Sequence, residues 1–145
     1  MIPDINILVA AFRADHIHHQ VASRWLNGAI KACGTGSSIE ILPMVATGFL
    51  RLVTHKKIFP DPAPVKTAIA FMDALLTIPG VEMIQIGHEW PMLCRLCQEE
   101  KLRDNGIPDA WIAAAVKVTH GHLVTFDRGF SRLLNKGELT ILPAK

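Results

Sequence analysis

Charged side chains are scarce in this sequence, 19% of 145 residues against the usual quarter, while half of all residues are hydrophobic. A chain of this length is expected to form one domain and to bury most of an ordinary core without disulfides or metals as staples. So much apolar surface nevertheless exceeds what one small core hides, so a partner or a homodimer is expected to cover the excess. Long apolar runs are missing as well. The best stretches, Ile39 to Val53 and Ala110 to Val118, are short or carry charge, which excludes a membrane-spanning helix and predicts a soluble protein.

Cysteines number only three, Cys33, Cys94 and Cys97. The Met-Ile-Pro-Asp start has no basic region, and Asp4 interrupts any apolar run, so no secretory leader is read and a reducing cytoplasm is the expected location. Cys94 and Cys97 have CxxC spacing, but no second CxxC or His pair follows at zinc-finger distance, and packing inside a helix accounts for them. A formal charge of +2 and a pI near 8.5 lack the basic excess of a dedicated nucleic-acid-binding domain. Basic residues do gather locally: Arg51, Lys56 and Lys57 in one region, and Arg128, Arg132 and Lys136 beside Asp127, in position to hold phosphates.

No repeat or low-complexity tract divides the chain; Gly34 to Ser38 and Pro60 to Pro64 are connectors. Ile2 to Asp4 reads as the end of a short strand, and Ile5 to Phe12 as an apolar run turning helical after Asn6. In His18 to Ile30, the residues Val21, Ala22, Trp25, Leu26, Ala29 and Ile30 recur at helical spacing on one face. A strand follows at Ile39 to Leu42, then helices at Pro43 to Val53 and Val65 to Leu76. Pro79-Gly80 marks a turn before a strand at Val81 to Ile86, and Glu89 to Leu102 is again helical. Pro108 opens a helix over Asp109 to His120; a strand at His122 to Phe126, a short helix near Phe130 to Leu134 and a strand at Leu139 to Leu142 complete the chain. Such alternation predicts an α/β fold with a mostly parallel sheet between helical layers, whose ligands gather at the carboxyl ends of the strands.

Four aspartates fall where strands hand over to helices: Asp4 in PDIN, Asp104 and Asp109 in LRDNGIPDAW, and Asp127 in VTFDRGF. Two carboxylates 4 Å apart repel by about 4 kcal/mol at an effective dielectric near 20, so a cluster of them calls for protons or a cation. Singly, each has a simpler explanation. Asp109 in the first turn of a helix complements its dipole, and Asp127 fits a turn. Asp4, with Ile2, Ile5 and Ile7 around it, is costly to bury unless paired or bound to a metal. Together, hard oxygen ligands without His or Cys at metal-ligand spacing suit Mg²⁺ or Mn²⁺.

The segments PDINILVAAF, HHQVASRWL, GFLRLVTHKKIF and GIPDAWIAAAVKVTHGHLVTFDRGFSRL together resemble a PIN-domain ribonuclease of the VapC toxin type over nearly the whole chain. The last segment is the most specific. The resemblance implies an α/β/α sandwich, a Mg²⁺ or Mn²⁺ site of clustered acids, endonucleolytic cleavage of RNA, neutralisation by a small antitoxin, and a homodimer. It carries Asp4, Asp109 and Asp127 over as the acids, with Asn6 and Thr125 as supporting hydrogen-bonders.

The glutamate that the family places near the start of FLRLVTH has no counterpart, since Ala46, Thr47 and Gly48 stand there. Glu40 is the nearest substitute, but it starts its strand, about 7 Å of extended chain from the carboxyl edge, and is read as structural. Asp104, in a loop, is the other candidate for a fourth carboxylate. In the implied mechanism Asp4 and Asp109 hold the metal, Asp127 orients water or completes the ligand shell, and in-line attack leaves a 3′-hydroxyl and a 5′-phosphate. Single-stranded or looped RNA is the expected substrate. A PIN-like module that binds without cleaving is the alternative kept open by the vacancy at Ala46 to Gly48. A phosphoacceptor signalling domain is excluded, because Ile5 stands where an acid pair is needed and the third strand ends Ile86-Gly87-His88. His16, His18 and His19 are expected to serve capping and surface solvation, and Trp25, Trp90 and Trp111 to be buried anchors.

Overall fold

A computed structural model describes residues 1–144. In chain order the elements are β1 (Ile2–Pro3), α1 (Ile5–Phe12), α2 (His19–Cys33), β2 (Ile39–Ile41), α3 (Pro43–Val53), α4 (Val65–Leu76), β3 (Val81–Met83), α5 (Trp90–Glu99), α6 (Gly106–Val118), β4 (Leu123–Thr125), a 3₁₀ helix (Arg128–Arg132) and β5 (Leu139–Ile141). All strand pairs are parallel: β1 with β4, β4 with β5, and β2 with β3. The Glu40 amide donates to the Met1 carbonyl at 3.0 Å and the Met1 ammonium to the Ser38 carbonyl at 3.0 Å, which joins the two ladders in the order β3-β2-β1-β4-β5.

The chain runs outward from β1 to β3 and then returns to the far side of β1, so the strand order reverses between β1 and β4. Right-handed crossovers place the helices of the outgoing and returning halves on opposite faces. The packing agrees: α1 packs on α2 and α3, α3 on α4, and α5 on α6. The result is the expected three-layer sandwich, with Ile2, Ile39, Ile41 and Leu123 of the strands fully buried between Leu8, Val45 and Phe49 on one side and Ala113 to Val116 on the other. Those small residues of α6 are used up inside the chain.

Most boundaries shift by one to three residues, as α2 does by running on to Cys33 and α5 by ending at Glu99, and four of the differences have a clear cause. The first helix begins at once after Asp4, whose Oδ1 accepts from the Ile5 amide and caps it. Strand β3 stops at Met83 because its partner β2 ends at Ile41; the Ile84 amide makes the final bond, to the Ile41 carbonyl, and Ile84 and Ile86 pack on the core without pairing. Helix α6 begins at Gly106, before Pro108, since the first turn of a helix has no internal partner for the amide that proline lacks. The last helix is a short 3₁₀ turn that starts at Arg128. The tryptophans also divide: Trp25 packs on the core, whereas Trp90 is 68% and Trp111 39% exposed, so neither of those is a buried anchor.

Candidate active site

Asp4 leaves β1 at the point where the strand order reverses, the place where open parallel sheets collect ligands. Its side chain is only 5% exposed. Oδ1 accepts from the Ile5 amide at 2.7 Å, and Oδ2 accepts from the Thr125 hydroxyl at 2.6 Å. Burial pushes its pKa up most strongly, the two hydrogen bonds pull it down, and the charge of Asp127 pushes it up again; the net shift is upward.

Thr125, at the end of β4, is fully buried, and its hydroxyl is used to capacity. Its proton goes to Asp4, while its oxygen accepts from Asn6 Nδ2 at 3.1 Å and from the Asp127 amide at 3.0 Å. Asn6 Oδ1 takes the Phe126 amide at 3.3 Å, which fixes the direction of its side-chain amide. Residues expected to support the acids thus form one network tying β1 and α1 to the β4 exit. Asp127 is exposed and turns Oδ1 onto the Gly129 amide at 2.8 Å, capping the 3₁₀ helix.

Asp109 comes from the other helical layer, as the fourth residue of α6. Its pKa is pushed up to about 6, first by partial burial, then by the charges of Asp127 and Asp4. Three segments far apart in sequence therefore bring carboxylates close enough to feel one another. None of the three belongs to the ion pairs formed among the described residues. An all-oxygen donor set with uncompensated negative charge fits a hard divalent cation. The fit is one of chemistry. As they stand, no three acidic, His or Cys side chains among the described residues close on a point that would grip an ion.

The other predicted residues fall outside this group. Glu40 pairs with the Met1 ammonium at 3.2 Å, a structural role as expected. Asp104 is exposed in the turn before α6, with a left-handed φ of 51°. At the positions where the resemblance implies a glutamate, Ala46 is buried, Thr47 is exposed and donates to the Pro43 carbonyl, and a Cβ on Gly48 would lie 2.5 Å from Ile5 Cδ1, so none of the three offers a carboxylate. Arg128 is exposed next to Asp127, whereas Arg132 reaches the Glu100 carboxylate at 3.7 Å. The histidines do more than face solvent: His18 stacks on Phe126 at 4.8 Å, and His19 Nδ1 meets the Ala10 carbonyl at 2.8 Å.

Sequence reasoning missed Glu89. This glutamate, just before α5, is 6% exposed and accepts from Trp111 Nε1 at 2.7 Å and from the Gly87 amide at 2.6 Å. Burial opposes its charge, but the two donors outweigh that and hold its pKa below the ordinary range. Nothing in the spacing of Glu89 and Trp111 announces the pair. Beside them lies a groove of about 570 Å³ bounded by Ile5, α3, α5 and the first turns of α6.

The chain as a whole resembles known proteins. The PIN domain profile matches residues 1–135, and the chain belongs to the PIN-domain family. Within that family it stands with the VapC group. Ribonuclease VapC31 of Mycobacterium tuberculosis is 35% identical over 130 residues, covering 89% of each chain, and Ribonuclease VapC25 of the same species is 33% identical over the same span. Among solved structures, VapBC2 from Rickettsia felis bound to a DNA fragment from its promoter superposes over 98% of each chain with a TM-score of 0.66. At 18% identity that likeness bears out the fold.

Proposed function

We propose that this chain is an endoribonuclease that cuts single-stranded or looped RNA, acts as the toxin of a toxin-antitoxin pair, and works with Mg²⁺ or Mn²⁺ held by Asp4, Asp109 and Asp127. The observation that carries the reading is the electrostatic coupling of these three carboxylates at the carboxyl edge of the sheet, without a cationic side chain to neutralise them. The names of the relatives as VapC ribonucleases and of the structural neighbour as a VapBC assembly support it.

When bound, the cation supplies Lewis-acid charge to the phosphodiester and to the attacking water. Asp4 offers oxygens already oriented by Thr125 and the Ile5 amide, and Asp109 adds a carboxylate that must first give up its proton. Asp127 keeps one oxygen on the Gly129 amide and turns the other to the water. The water oxygen would bond to phosphorus as the bond to the 3′ oxygen breaks, its proton leaving to solvent by way of Asp127 and the 3′ oxygen taking one from solvent, which leaves a 3′-hydroxyl and a 5′-phosphate. Arg128, exposed beside Asp127, holds a neighbouring phosphate, and Arg132 joins it by exchanging the Glu100 carboxylate for phosphate. A small antitoxin is the neutralising partner, and exposed apolar residues such as Ile17 and Trp90 support assembly as a homodimer. No helix among the described residues is long and apolar enough to cross a membrane.

The test is incubation of the purified chain with single-stranded RNA in EDTA, Mg²⁺ or Mn²⁺. Cleavage is expected with either metal, and none in EDTA or in Asp4→Asn. RNA left intact in every metal would overturn the reading in favour of a module that binds without cutting, for which the missing acid at Ala46 to Gly48 is the supporting feature.

A further inference from the structure

We infer that the indole of Trp111, held in place by the buried carboxylate of Glu89, is the stacking surface for one unpaired base of an RNA strand bound at the carboxyl edge of the sheet. This rests on the ribonuclease reading and adds a subsite to it. Trp111 shares one face of α6 with Ile107, Pro108 and Ile112 and forms one wall of the apolar groove, with Ile5 and Gly48 across from it. Ile5, Pro43 and Pro108 lie in the first turns of α1, α3 and α6, so the groove opens among the helix starts at the carboxyl edge of the sheet, the edge that also carries Asp4 and Asp109.

The placement of Trp111 is not explained by packing. The side chain remains 39% exposed, yet a carboxylate has been buried to bind its N–H. A burying role would be better served by an apolar neighbour, because an enclosed carboxylate is costly unless its bonds are good. A charge-assisted bond of 2.7 Å instead fixes the plane of the ring. Glu89 is itself held by the Gly87 amide, at a residue whose φ of 150° favours glycine. A rigid, solvent-facing aromatic plane accepts a base with little loss of side-chain freedom, and every base has a π face to offer.

Charge favours RNA over an apolar peptide in this groove. Arg51, on α3 at the rim, is exposed and belongs to none of the ion pairs among the described residues, so it complements a phosphodiester entering beside the base. The volume of about 570 Å³ lies within the roughly 300 to 1,000 Å³ of sites that take small organic groups.

Affinity for a short, unstructured, fluorescein-labelled oligoribonucleotide, measured by anisotropy in the Asp4→Asn background, tests the assignment. Trp111→Ala is expected to weaken binding roughly tenfold, and Trp111→Phe, which keeps a ring, by much less. Glu89→Gln should weaken binding when Trp111 is present and add nothing in Trp111→Ala, the coupling expected of a positioning residue. One abasic position in the oligonucleotide should lower affinity for the Trp111 protein and leave Trp111→Ala unmoved. Unchanged affinity in a Trp111→Ala protein whose circular dichroism melt is intact would overturn the inference. So would unchanged RNA affinity accompanied by a loss of dimer or of antitoxin capture, which would make the groove a protein interface. In the active background, cleavage with an unaltered KM in Trp111→Ala sinks the stacking assignment alone, whereas a parent chain that cuts no RNA sinks the function beneath it.

Discussion

The two walls of the acidic pocket are built on different principles. On the Asp4 wall every polar atom is engaged: the carboxylate, the Thr125 hydroxyl and the Asn6 amide satisfy one another across segments more than a hundred residues apart. On the α6 wall, Asp109 is half-buried and strained by the charges of its neighbours, with a pKa of about 6. The first wall is preorganised; the second depends on what binds. A ligand held on these two walls would meet one fixed partner and one that responds to it.

The largest effect should come from attacking the fixed wall. Asp4→Asn is expected to lower cleavage by more than ~10²-fold, since even outer hydrogen-bonding partners of metal ligands are worth 10 to 100-fold; RNA cleavage assays measure it. Thr125→Val keeps the shape but removes the donor to Asp4 and the acceptor for Asn6 and Asp127. It should reduce cleavage by about 10 to 100-fold and stability by about 1 to 3 kcal/mol, read by chemical denaturation, with Thr125→Ser close to the parent.

The adjustable wall gives smaller and pH-dependent effects. Asp109 must lose a proton to receive a cation, so Mn²⁺ affinity by calorimetry should climb with pH up to about 6 and then level. In the metal-free chain the folded state holds that proton up to about 6, the unfolded state only to the ordinary 3.8. Between those values the folded state binds more protons, so stability falls as pH rises, and the penalty is complete above pH 6. Asp109→Asn should therefore abolish cleavage yet raise the metal-free melting temperature by about 3 °C at pH 7.5 after allowance for solvent screening, with no gain below pH 4. The same substitution at the Asp4 wall should not stabilise, because the Asn amide cannot replace both acceptor oxygens. Smallest of all, Glu40→Gln should leave cleavage unchanged and alter stability by less than ~1 kcal/mol.

Much of the architecture was legible in residue patterns. Pro43, the Pro79-Gly80 turn and the spacing of Ala22, Leu26 and Ile30 mark elements whose signals are local. The errors arose where the partner decides: Ile84 to Ile86 alternates like a strand, but β2 has already ended. The acids were readable because charge at strand ends is conspicuous in an apolar chain, whereas the roles of Asn6 and Thr125 came only with the family resemblance. Glu89 and Trp111 could not be read at all. A glutamate before one helix and a tryptophan in the next acquire meaning only when α5 packs on α6.

β1 is the central strand, and one of its flanks is supplied by β4, which ends at Thr125. Asp4 therefore gains its hydroxyl partner only when two segments more than a hundred residues apart have closed on each other. A fragment that stops before Leu123 keeps Asp4 but carries an unassembled pocket, so an intact Asp4–Thr125 bond reports that both halves of the chain are in place.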